Sequence, residues 1–222
     1  MKCKAFISSV YHGSAVDGKG LRSVIFFSGC NLRCPFCHNP ETFCEKGEEV
    51  SLSELTAKIS RYRNYIKAGG VTLSGGEPFL QAEFCRLLVD NLHALSLEVI
   101  AETNGMVMDE SLIKALDGVR LDIKNFAGET ASDLSKKYDT FIDFCDKNGT
   151  KVQLTNVLIP SINDGKETLL ELKKWLRGRE IELLPFRKLC LEKYERLKIP
   201  FPYAHLQEAT KEDVKRAYEQ LY

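Results

Sequence analysis

The sequence predicts an α/β protein with a parallel sheet, and three observations support that fold class. Short runs of β-branched and other apolar residues alternate with longer amphipathic segments along all 222 residues. The apolar runs are nearly continuous, as expected of strands that are buried on both faces of a parallel sheet. No linker or low-complexity tract interrupts the pattern. We therefore predict a single domain over residues 1–222, since α/β barrels commonly reach about 200–250 residues.

Six segments have the composition of buried strands. They are SVIFF (23–27), GVTLS (70–74), SLEVIAET (96–103), GVRLDIK (118–124), KVQLTNVLI (151–159) and EIELLPF (180–186). Strands that alternate with helices indicate βαβ crossovers, and their regular spacing favours a partial (β/α)6 barrel that resembles three quarters of a TIM barrel. A flat doubly wound sheet has the same order of elements and stays open as an alternative, because strand order is not visible in a sequence.

The segments between the strands have apolar residues at i, i+3 and i+4, the spacing of a helix with one buried face. They cover residues 51–70, 80–95, 109–118, 131–149, 165–178 and 209–222. The first begins with Ser51 and Glu54 in capping-box spacing, and the last begins at Thr210 with Asp213 in its first turn. The first five of these segments are the predicted crossover helices, and the last follows the final predicted strand.

Charge and hydropathy argue against two classes of function. Lys plus Arg is 31 and Asp plus Glu is 31, so the formal net charge is zero. Sequence-independent binding to nucleic acid needs a basic excess that this chain lacks. The longest apolar runs, such as residues 24–27, are far too short to span a bilayer, and the first ten residues contain no signal-peptide core. We expect a cytoplasmic protein that binds neither nucleic acid nor membranes.

Three of the eight cysteines are clustered. Cys30, Cys34 and Cys37 have the spacing C-x3-C-x2-C, and clustered thiols in a reducing compartment are typical of metal or redox sites. A structural zinc site needs four ligands, usually in two separated pairs, and this sequence has no second pair. Cys44 or His38 could supply a fourth ligand. Alternatively, three cysteines hold an iron–sulfur cluster with one iron open, which the spacing favours over zinc.

Polar residues follow the other predicted strands, where parallel α/β proteins collect their chemistry. Gly75 and Gly76 allow the backbone to approach a ligand, and Glu77 offers a carboxylate to a cationic group, although a simple strand-to-loop turn explains this segment as well.

Two further carboxylates end neighbouring strands. Glu102 and Asp122, with Thr103 between them in sequence, could bind a cation or a hydroxyl group. A helix cap or a surface salt bridge is the alternative for each, and Lys124 could be the ion-pair partner of Asp122.

The run GCNLRCPFCHNP at residues 29–40 resembles the signature of the radical S-adenosylmethionine enzymes. SGGEP after the second predicted strand strengthens this resemblance. Further segments then follow in the order seen in glycyl radical enzyme activating enzymes, over nearly the whole chain. They are SAVDGKGLRSVIFFSGCNLRCPFCHNPET, GGVTLSGGEPFLQAEF, ETNG, LDIK and IELLPF. The chain resembles short, single-cluster members, since the family's ferredoxin-like insert with additional cysteine pairs is missing.

The resemblance implies roles for individual residues. Ligands to three irons of a [4Fe–4S] cluster would be Cys30, Cys34 and Cys37, while the amino and carboxylate groups of S-adenosylmethionine would chelate the fourth iron. The methionine end would be held by Gly75, Gly76 and Glu77. The adenosine part would lie against Phe36 and His38, in a pocket also lined by Asp122 and Lys124. A monovalent-cation site would comprise Glu102, Thr103 and Asp122. Asp17 would lie near the glycine-bearing segment of a partner protein.

The implied function is activation of a glycyl radical enzyme. The activase would reductively cleave S-adenosylmethionine and take a hydrogen atom from a glycine of its partner, with flavodoxin or ferredoxin as electron donor. We expect a monomer.

Three positions depart from the family pattern: Glu102 replaces a common aspartate, Thr155 lies where an arginine is frequent, and Arg187 replaces a histidine. These departures keep a second hypothesis open, in which the target is anaerobic ribonucleotide reductase, a peptide or a small molecule. A zinc-bearing α/β binding protein without enzymatic activity is the third.

Overall fold

The computed structural model describes residues 3–124 and 131–222, without the side chains of residues 131–135. Eight strands in these ranges form one sheet in the order β3-β1-β2-β4-β5-β6-β7-β8. The strands are β1 Lys4–Ser14, β2 Arg22–Phe27, β3 Glu48–Ser51, β4 Gly70–Gly75, β5 Val99–Thr103, β6 Gly118–Asp122, β7 Lys151–Leu158 and β8 Ile181–Pro185. The helices are α1 Glu41–Cys44, α2 Leu52–Ser60, α3 Arg63–Ile66, α4 Ala82–Ala94, α5 Glu110–Ala115, α6 Ala131–Asn148, α7 Lys166–Lys173, α8 Leu191–Leu197 and α9 Lys211–Leu221.

The predicted parallel strands are confirmed as β2 and β4 to β8. Each pairs in parallel with the next one along the chain. A doubly wound sheet reverses its strand order at a switch point, whereas this order progresses in one direction from β2 to β8. The partial-barrel alternative is therefore the correct one, and the carboxyl ends of all six parallel strands lie along one rim.

Two strands were not predicted. β1 pairs antiparallel with both β2 and β3, and so extends the sheet beyond the parallel part. β1 buries Ala5 and Ile7 at alternating positions, a period-two signal that its polar residues dilute. β3 is four residues long, carries Glu48 and Glu49, and lies at the sheet edge. Charged residues on a short edge strand discourage pairing with other chains, which also hides the strand from composition-based prediction.

Helix boundaries follow local capping. The predicted capping box of Ser51 with Glu54 forms and begins α2, and Thr210, the predicted start of the last helix, forms a capping box with Asp213 that begins α9. The segment predicted as one helix over residues 51–70 is instead two helices, since α2 ends at Ser60 and α3 begins at Arg63. α8 was not predicted. In the described part of the chain, no helix has the length and apolarity to cross a membrane.

The two faces of the sheet differ in chemistry. One face packs the large core against the helices, and Leu73, Ala101 and Leu121 belong to it. The residues at alternate positions form the other face, which we call the inner face. It carries the polar residues Arg22, Thr72, Ser74, Glu102, Arg120, Asp122 and Glu182. Hydrogen bonds between strands join Arg22 to Thr72, Ser74 to Glu102, and Arg120 to both Glu102 and Glu182. Because this face is polar, we infer that the concave side of the sheet has a role beyond packing.

Arg22 is a fully buried residue of the inner face. Its guanidinium donates to Thr72 Oγ1 at 2.7 Å, to the Val71 carbonyl at 2.7 Å and to Glu98 Oε1 at 2.9 Å. It also donates to the carbonyl of Gly69. These bonds connect the amino ends of β2 and β4 with the segment before β5.

We expect Arg22→Met to lower the free energy of unfolding by about 3–5 kcal/mol, because buried acceptors lose their charged donor. Urea denaturation monitored by circular dichroism measures this loss. Arg177→Met is the control, since Arg177 pairs with the exposed carboxylates of Asp139 and Asp143 and its loss should cost about 1 kcal/mol or less. Equal losses for the two variants would contradict the structural role of Arg22.

Candidate functional site

The three clustered cysteines lie on one loop between β2 and α1. All three are free thiols and partly exposed. Gly29 begins the loop with φ +95°, and a turn closes between the Cys34 carbonyl and the Cys37 amide at 3.0 Å. Backbone amides of Leu32 and Asn39 donate to the sulfurs of Cys30 and Cys37, at 3.4 and 3.3 Å. Amide donors to sulfur favour the thiolate form, which is the form that ligates iron.

The electrostatics of the loop require a compensating cation. Burial raises the pKa of all three thiols, and that of Cys37 to about 12. The charge of Cys30 adds to the rise in the pKa of Cys34, and both add to that of Cys37, while the positive charge of Lys124 lowers the pKa of each thiol. A metal deprotonates coordinating thiols outright. The donor set therefore fits an iron–sulfur cluster, with Lys124 as the protein's own positive charge beside it.

The paired glycines pack against the cysteine loop. Gly76 donates to the Phe27 carbonyl at 2.9 Å, and Glu77 donates to the Gly29 carbonyl at 2.8 Å. A Cβ atom on Gly76 would lie 1.9 Å from the Gly29 oxygen, which no side chain can occupy. Gly75 has φ +109°. The two glycines are thus required by the close approach of the end of β4 to the start of the cysteine loop.

The Glu77 side chain is fully buried and its carboxylate is occupied by donors of the chain itself. Oε1 accepts from the Thr103 hydroxyl at 2.8 Å and from the Phe79 amide at 3.1 Å, and Oε2 accepts from the Asn104 amide at 2.9 Å. Burial raises the pKa of Glu77 to about 7, although these donors act in the opposite direction. Glu77 therefore ties the end of β4 to the end of β5.

Asn104 extends this connection to the cysteine loop, which the sequence analysis missed. Its side-chain amide donates to Asn31 Oδ1 at 2.9 Å, one residue after Cys30. Two signals in the sequence could have found it: the position of Asn104 directly after a strand, and its amide side chain, which can both donate and accept hydrogen bonds.

Asp122 and Lys124 form an ion pair at the end of β6. Burial alone would lower the pKa of Lys124, but the charges of Asp122 and Cys34 and the hydrogen bond to Asp122 together outweigh it and raise this pKa, so Lys124 stays charged. Asp122 Oδ1 is buried and has no hydrogen-bond partner among the described residues. The Lys124 ammonium lies 5.2 Å from the centroid of the Phe36 ring. An orphaned acceptor beside the cysteine loop fits a ligand that brings a hydrogen-bond donor.

The residues predicted for a monovalent cation each have a partner within the chain. The Thr103 hydroxyl donates to Glu77, whereas Glu102 and Asp122 lie on the inner face. Glu102 accepts from Ser74 at 2.7 Å and from Arg120 at 2.9 Å. Burial raises the pKa of Glu102, and Arg120 opposes that rise. In residues 3–124 and 131–222, no three His, Cys, Asp or Glu side chains surround the position of a single metal ion. This holds for Cys30, Cys34 and Cys37 too, but a cluster would take each of these thiols on a different iron.

Phe36 belongs to a second apolar cluster, separate from the main core. The cluster comprises Phe36, Ile159, Phe186, Cys190, Tyr194, Phe201 and Ala209, with Cys34 packed against it. Tyr203 stacks near Phe36 at 6.4 Å between ring centroids. His38 contacts the Arg187 carbonyl at 2.8 Å through Nε2. Most of this cluster comes from residues after β8, which the sequence analysis did not connect with the site.

Asp17 lies on the loop of residues 15–21, which joins β1 to β2 and packs on the inner face. The Asp17 carbonyl accepts from Thr72 at 2.7 Å, and its carboxylate accepts from the Ser14 hydroxyl. The Val16 carbonyl accepts from Arg120 at 2.8 Å, while the Val16 side chain is 77% exposed. The loop is therefore anchored through its backbone and leaves side chains available to a partner.

The other two residues that depart from the family pattern, Thr155 and Arg187, make contacts within the fold. Thr155 is buried in β7, and its carbonyl accepts from the Ile123 amide at 2.8 Å. Arg187 donates to the Ala209 carbonyl at 2.6 Å and pairs with Glu208. Cys44 ends α1 and is exposed, whereas Cys85 and Cys145 are buried in the main core.

We expect Gly76→Ala to reduce the iron and sulfide bound per chain to roughly half or less, because the added methyl group displaces the cysteine loop in close-packed surroundings. Iron and sulfide analysis after anaerobic reconstitution measures this effect. Gly165→Ala is the matched control, since nothing lies within 4 Å of the position that its Cβ atom would take. Equal iron contents for the two variants would contradict the packing role of Gly76.

The raised pKa of Glu77 makes stability depend on pH. The folded protein binds this proton more tightly than the unfolded chain, so stability from Glu77 is lost as the pH rises from 4.5 to about 7. Glu77→Gln cannot titrate and should remove a slope of at most about 1.4 kcal/mol per pH unit. Urea denaturation of both proteins across this window, with Glu83→Gln in α4 as control, measures the difference. Parallel profiles of wild type and Glu77→Gln would exclude the effect.

Comparison with known proteins places this geometry in a family. Residues 16–143 match the family model described as a 4Fe-4S single cluster domain. The chain is 32% identical to the pyruvate formate-lyase-activating enzyme of Clostridium pasteurianum, over 97% of this chain and 96% of that protein. It is 35% identical to the enzyme of the same name from Staphylococcus epidermidis, over 97% and 94%.

A solved structure supports the fold. A radical SAM methyltransferase from Sphaerobacter thermophilus superposes with a TM-score of 0.62 and 21% identity, and the match covers 90% of this chain and 63% of that chain. The structural similarity supports the fold alone, whereas the sequence relatives and the matched cluster domain show the family of the chain. The chain belongs to the radical S-adenosylmethionine enzymes, as a member of the family of glycyl radical enzyme activating enzymes.

Proposed function

We propose that this enzyme uses a [4Fe–4S] cluster and S-adenosylmethionine to take a hydrogen atom from one glycine of a partner glycyl radical enzyme. The observation that carries the proposal is the cysteine loop at the carboxyl ends of the parallel strands. There, three partly exposed thiols lie within the field of Lys124 and beside the orphaned Asp122 oxygen. The activase names of its relatives support the same class of reaction.

Cys30, Cys34 and Cys37 would ligate three irons of the cluster and leave the fourth to the amino and carboxylate groups of S-adenosylmethionine. When bound, the cluster and S-adenosylmethionine together supply a one-electron reduction of the sulfonium and a radical able to remove a hydrogen atom. Iron–sulfur potentials depend on hydrogen bonds to sulfur and on solvent exposure. The Leu32 and Asn39 amides and the apolar cluster around Phe36 are the groups of this chain that set those two variables.

Lys124 and Asp122 would orient the cofactor. Lys124 stays charged beside the thiols, and we propose that it balances the negative charge of the cluster or of the cofactor carboxylate. Asp122 Oδ1 would accept a hydrogen bond from the cofactor, because no described residue satisfies it. Glu77 would act from behind the site, by fixing the glycine segment and the end of β5 against the cysteine loop. Phe36 and His38 would contact the adenosine.

The loop of residues 15–21 would receive the partner. It is anchored through the carbonyls of Val16 and Asp17 and through the bond of the Asp17 carboxylate to Ser14, so exposed side chains such as Val16 are left to contact another protein. Glycine is a suitable target because it lacks a side chain, so its backbone can enter a narrow pocket. We propose that the activase works as a monomer, with flavodoxin or ferredoxin as the electron donor that approaches the partly exposed thiols.

A second candidate keeps the cofactor chemistry and changes the target to anaerobic ribonucleotide reductase, a peptide or a small molecule. Thr155 and Arg187 favour it, because both positions depart from the pattern of the activases and Arg187 contacts His38 through its carbonyl. A short precursor peptide encoded beside this gene would support this candidate.

Electron paramagnetic resonance tests the leading proposal. The reduced, reconstituted enzyme is mixed anaerobically with S-adenosylmethionine and the large glycyl radical protein encoded nearest to it. A doublet typical of a glycine radical on the partner is expected. Cleavage of S-adenosylmethionine without that doublet, on every glycyl radical protein of the same genome, would contradict the activase role.

Asp17→Asn separates partner contact from cofactor chemistry. We expect it to slow radical formation on the partner about tenfold or more, since misplaced substrate reacts slowly, while iron content and affinity for S-adenosylmethionine stay unchanged. Asp90→Asn, which alters an exposed carboxylate of α4 paired with Arg86, is the control. An unchanged rate for Asp17→Asn would remove Asp17 from the partner site.

A further inference from the structure

The two carboxylates of the inner face that were predicted to hold a cation each have a basic partner from β6 or the residues just after it. Arg120 Nη1 donates to Glu102 Oε1 at 2.9 Å, and Lys124 pairs with Asp122. The remaining oxygen of Glu102 accepts from the Ser74 hydroxyl at 2.7 Å. A mobile cation at Glu102 would therefore have to share a carboxylate whose two oxygens are both already engaged.

The Arg120 guanidinium lies among oxygen acceptors from three directions. Besides Glu102, it donates to the Val16 carbonyl at 2.8 Å and to Glu182 Oε2 at 2.8 Å. Its side chain is only 5% exposed. An arginine side chain does not lose its proton in proteins, so this positive charge is permanent. One carbonyl and two carboxylates around a buried charge are the kind of oxygen environment that a bound metal cation would need.

Thr103, the third residue of the predicted set, is committed elsewhere. Successive residues of a strand face opposite sides, and the Thr103 hydroxyl donates to Glu77 on the far side from Glu102. Glu102 and Arg120 are direct neighbours in the register of β5 and β6, so their side chains share the inner face. The register of the sheet thus places a guanidinium, rather than a hydroxyl group, beside Glu102.

We propose that Arg120 is a built-in cation of the cofactor site, so that binding of S-adenosylmethionine by this enzyme requires neither Na⁺ nor K⁺. The inference rests on the proposed function for its cofactor alone and does not depend on the identity of the protein partner. Arg120 neutralises Glu102 near the cofactor and, through Val16, fixes the loop that carries Asp17. A single positive charge then serves both the cofactor side and the partner side of the inner face.

The test is the affinity of the reconstituted holoenzyme for S-adenosylmethionine, measured by anaerobic equilibrium dialysis in potassium, sodium or N-methylglucamine chloride at equal ionic strength. The wild type should bind with a Kd that agrees within about twofold in all three salts. Arg120→Gln should bind about tenfold more weakly in N-methylglucamine chloride, because the partly buried Glu102 is left without its charge partner. Potassium or sodium should restore most of that loss by occupying the vacated position.

Arg120→Lys keeps the charge and should stay independent of the salt. Arg177→Gln is the control for loss of an arginine away from the site and should match the wild type. A wild type that loses affinity about tenfold without alkali cations would overturn the proposal, as would a folded Arg120→Gln enzyme with equal affinity in all three salts. If Arg120→Gln does not fold, the wild-type and Arg120→Lys measurements still decide.

The outcome also separates this inference from the proposed function. A wild type that binds S-adenosylmethionine in no salt would overturn both. A wild type that binds well only with alkali cations would overturn the built-in cation and leave the activase proposal standing.

Discussion

The buried carboxylate of Glu77 is the interaction on which the rest of the site depends. Its two oxygens receive donors from Phe79, Thr103 and Asn104, and its backbone amide contacts Gly29 at the start of the cysteine loop. Because the carboxylate is fully buried, the loss of any donor would leave part of a charge without compensation. Through its side chain and its backbone amide, Glu77 thus fixes the ends of β2, β4 and β5 relative to each other, and with them the position from which the three thiols project.

The order of the strands makes this arrangement possible. Consecutive parallel strands are neighbours, so that the loops which follow β2, β4, β5 and β6 meet along one rim. The rim then combines thiols from the first loop, close-approach glycines from the second, and the Asp122–Lys124 pair from the fourth. Below it, the inner face carries alternating charges in which Arg120 lies between Glu102 and Glu182 and also anchors the loop bearing Asp17. Cofactor chemistry and partner contact are therefore neighbouring functions of one polar surface.

Much of the fold was accessible to sequence reasoning because the six parallel strands are rich in β-branched and other apolar residues, which face the core at alternate positions, even though their inner face proved to be polar. β1 and β3 were not, since one face of β1 is only half-buried and β3 is a charged edge strand. The cysteine loop was located by its spacing. The direction in which the Glu77 side chain points could not be predicted. A glutamate whose carboxylate faces the chain's own amides looks the same in a sequence as one whose carboxylate faces a ligand. Arg120 escaped notice for a related reason: its pairing with Glu102 depends on the register of β5 and β6.

The central claim is that three thiols hold a cluster with one iron left open to S-adenosylmethionine. The most direct measurement is the electron paramagnetic resonance spectrum of the reduced, reconstituted protein before and after addition of S-adenosylmethionine, with metal and sulfide analysis of the same sample. Our account predicts about four irons and four sulfides per chain and a cluster signal that shifts when S-adenosylmethionine binds. A colourless protein that contains zinc and no sulfide after reconstitution, or a cluster signal indifferent to S-adenosylmethionine, would contradict it.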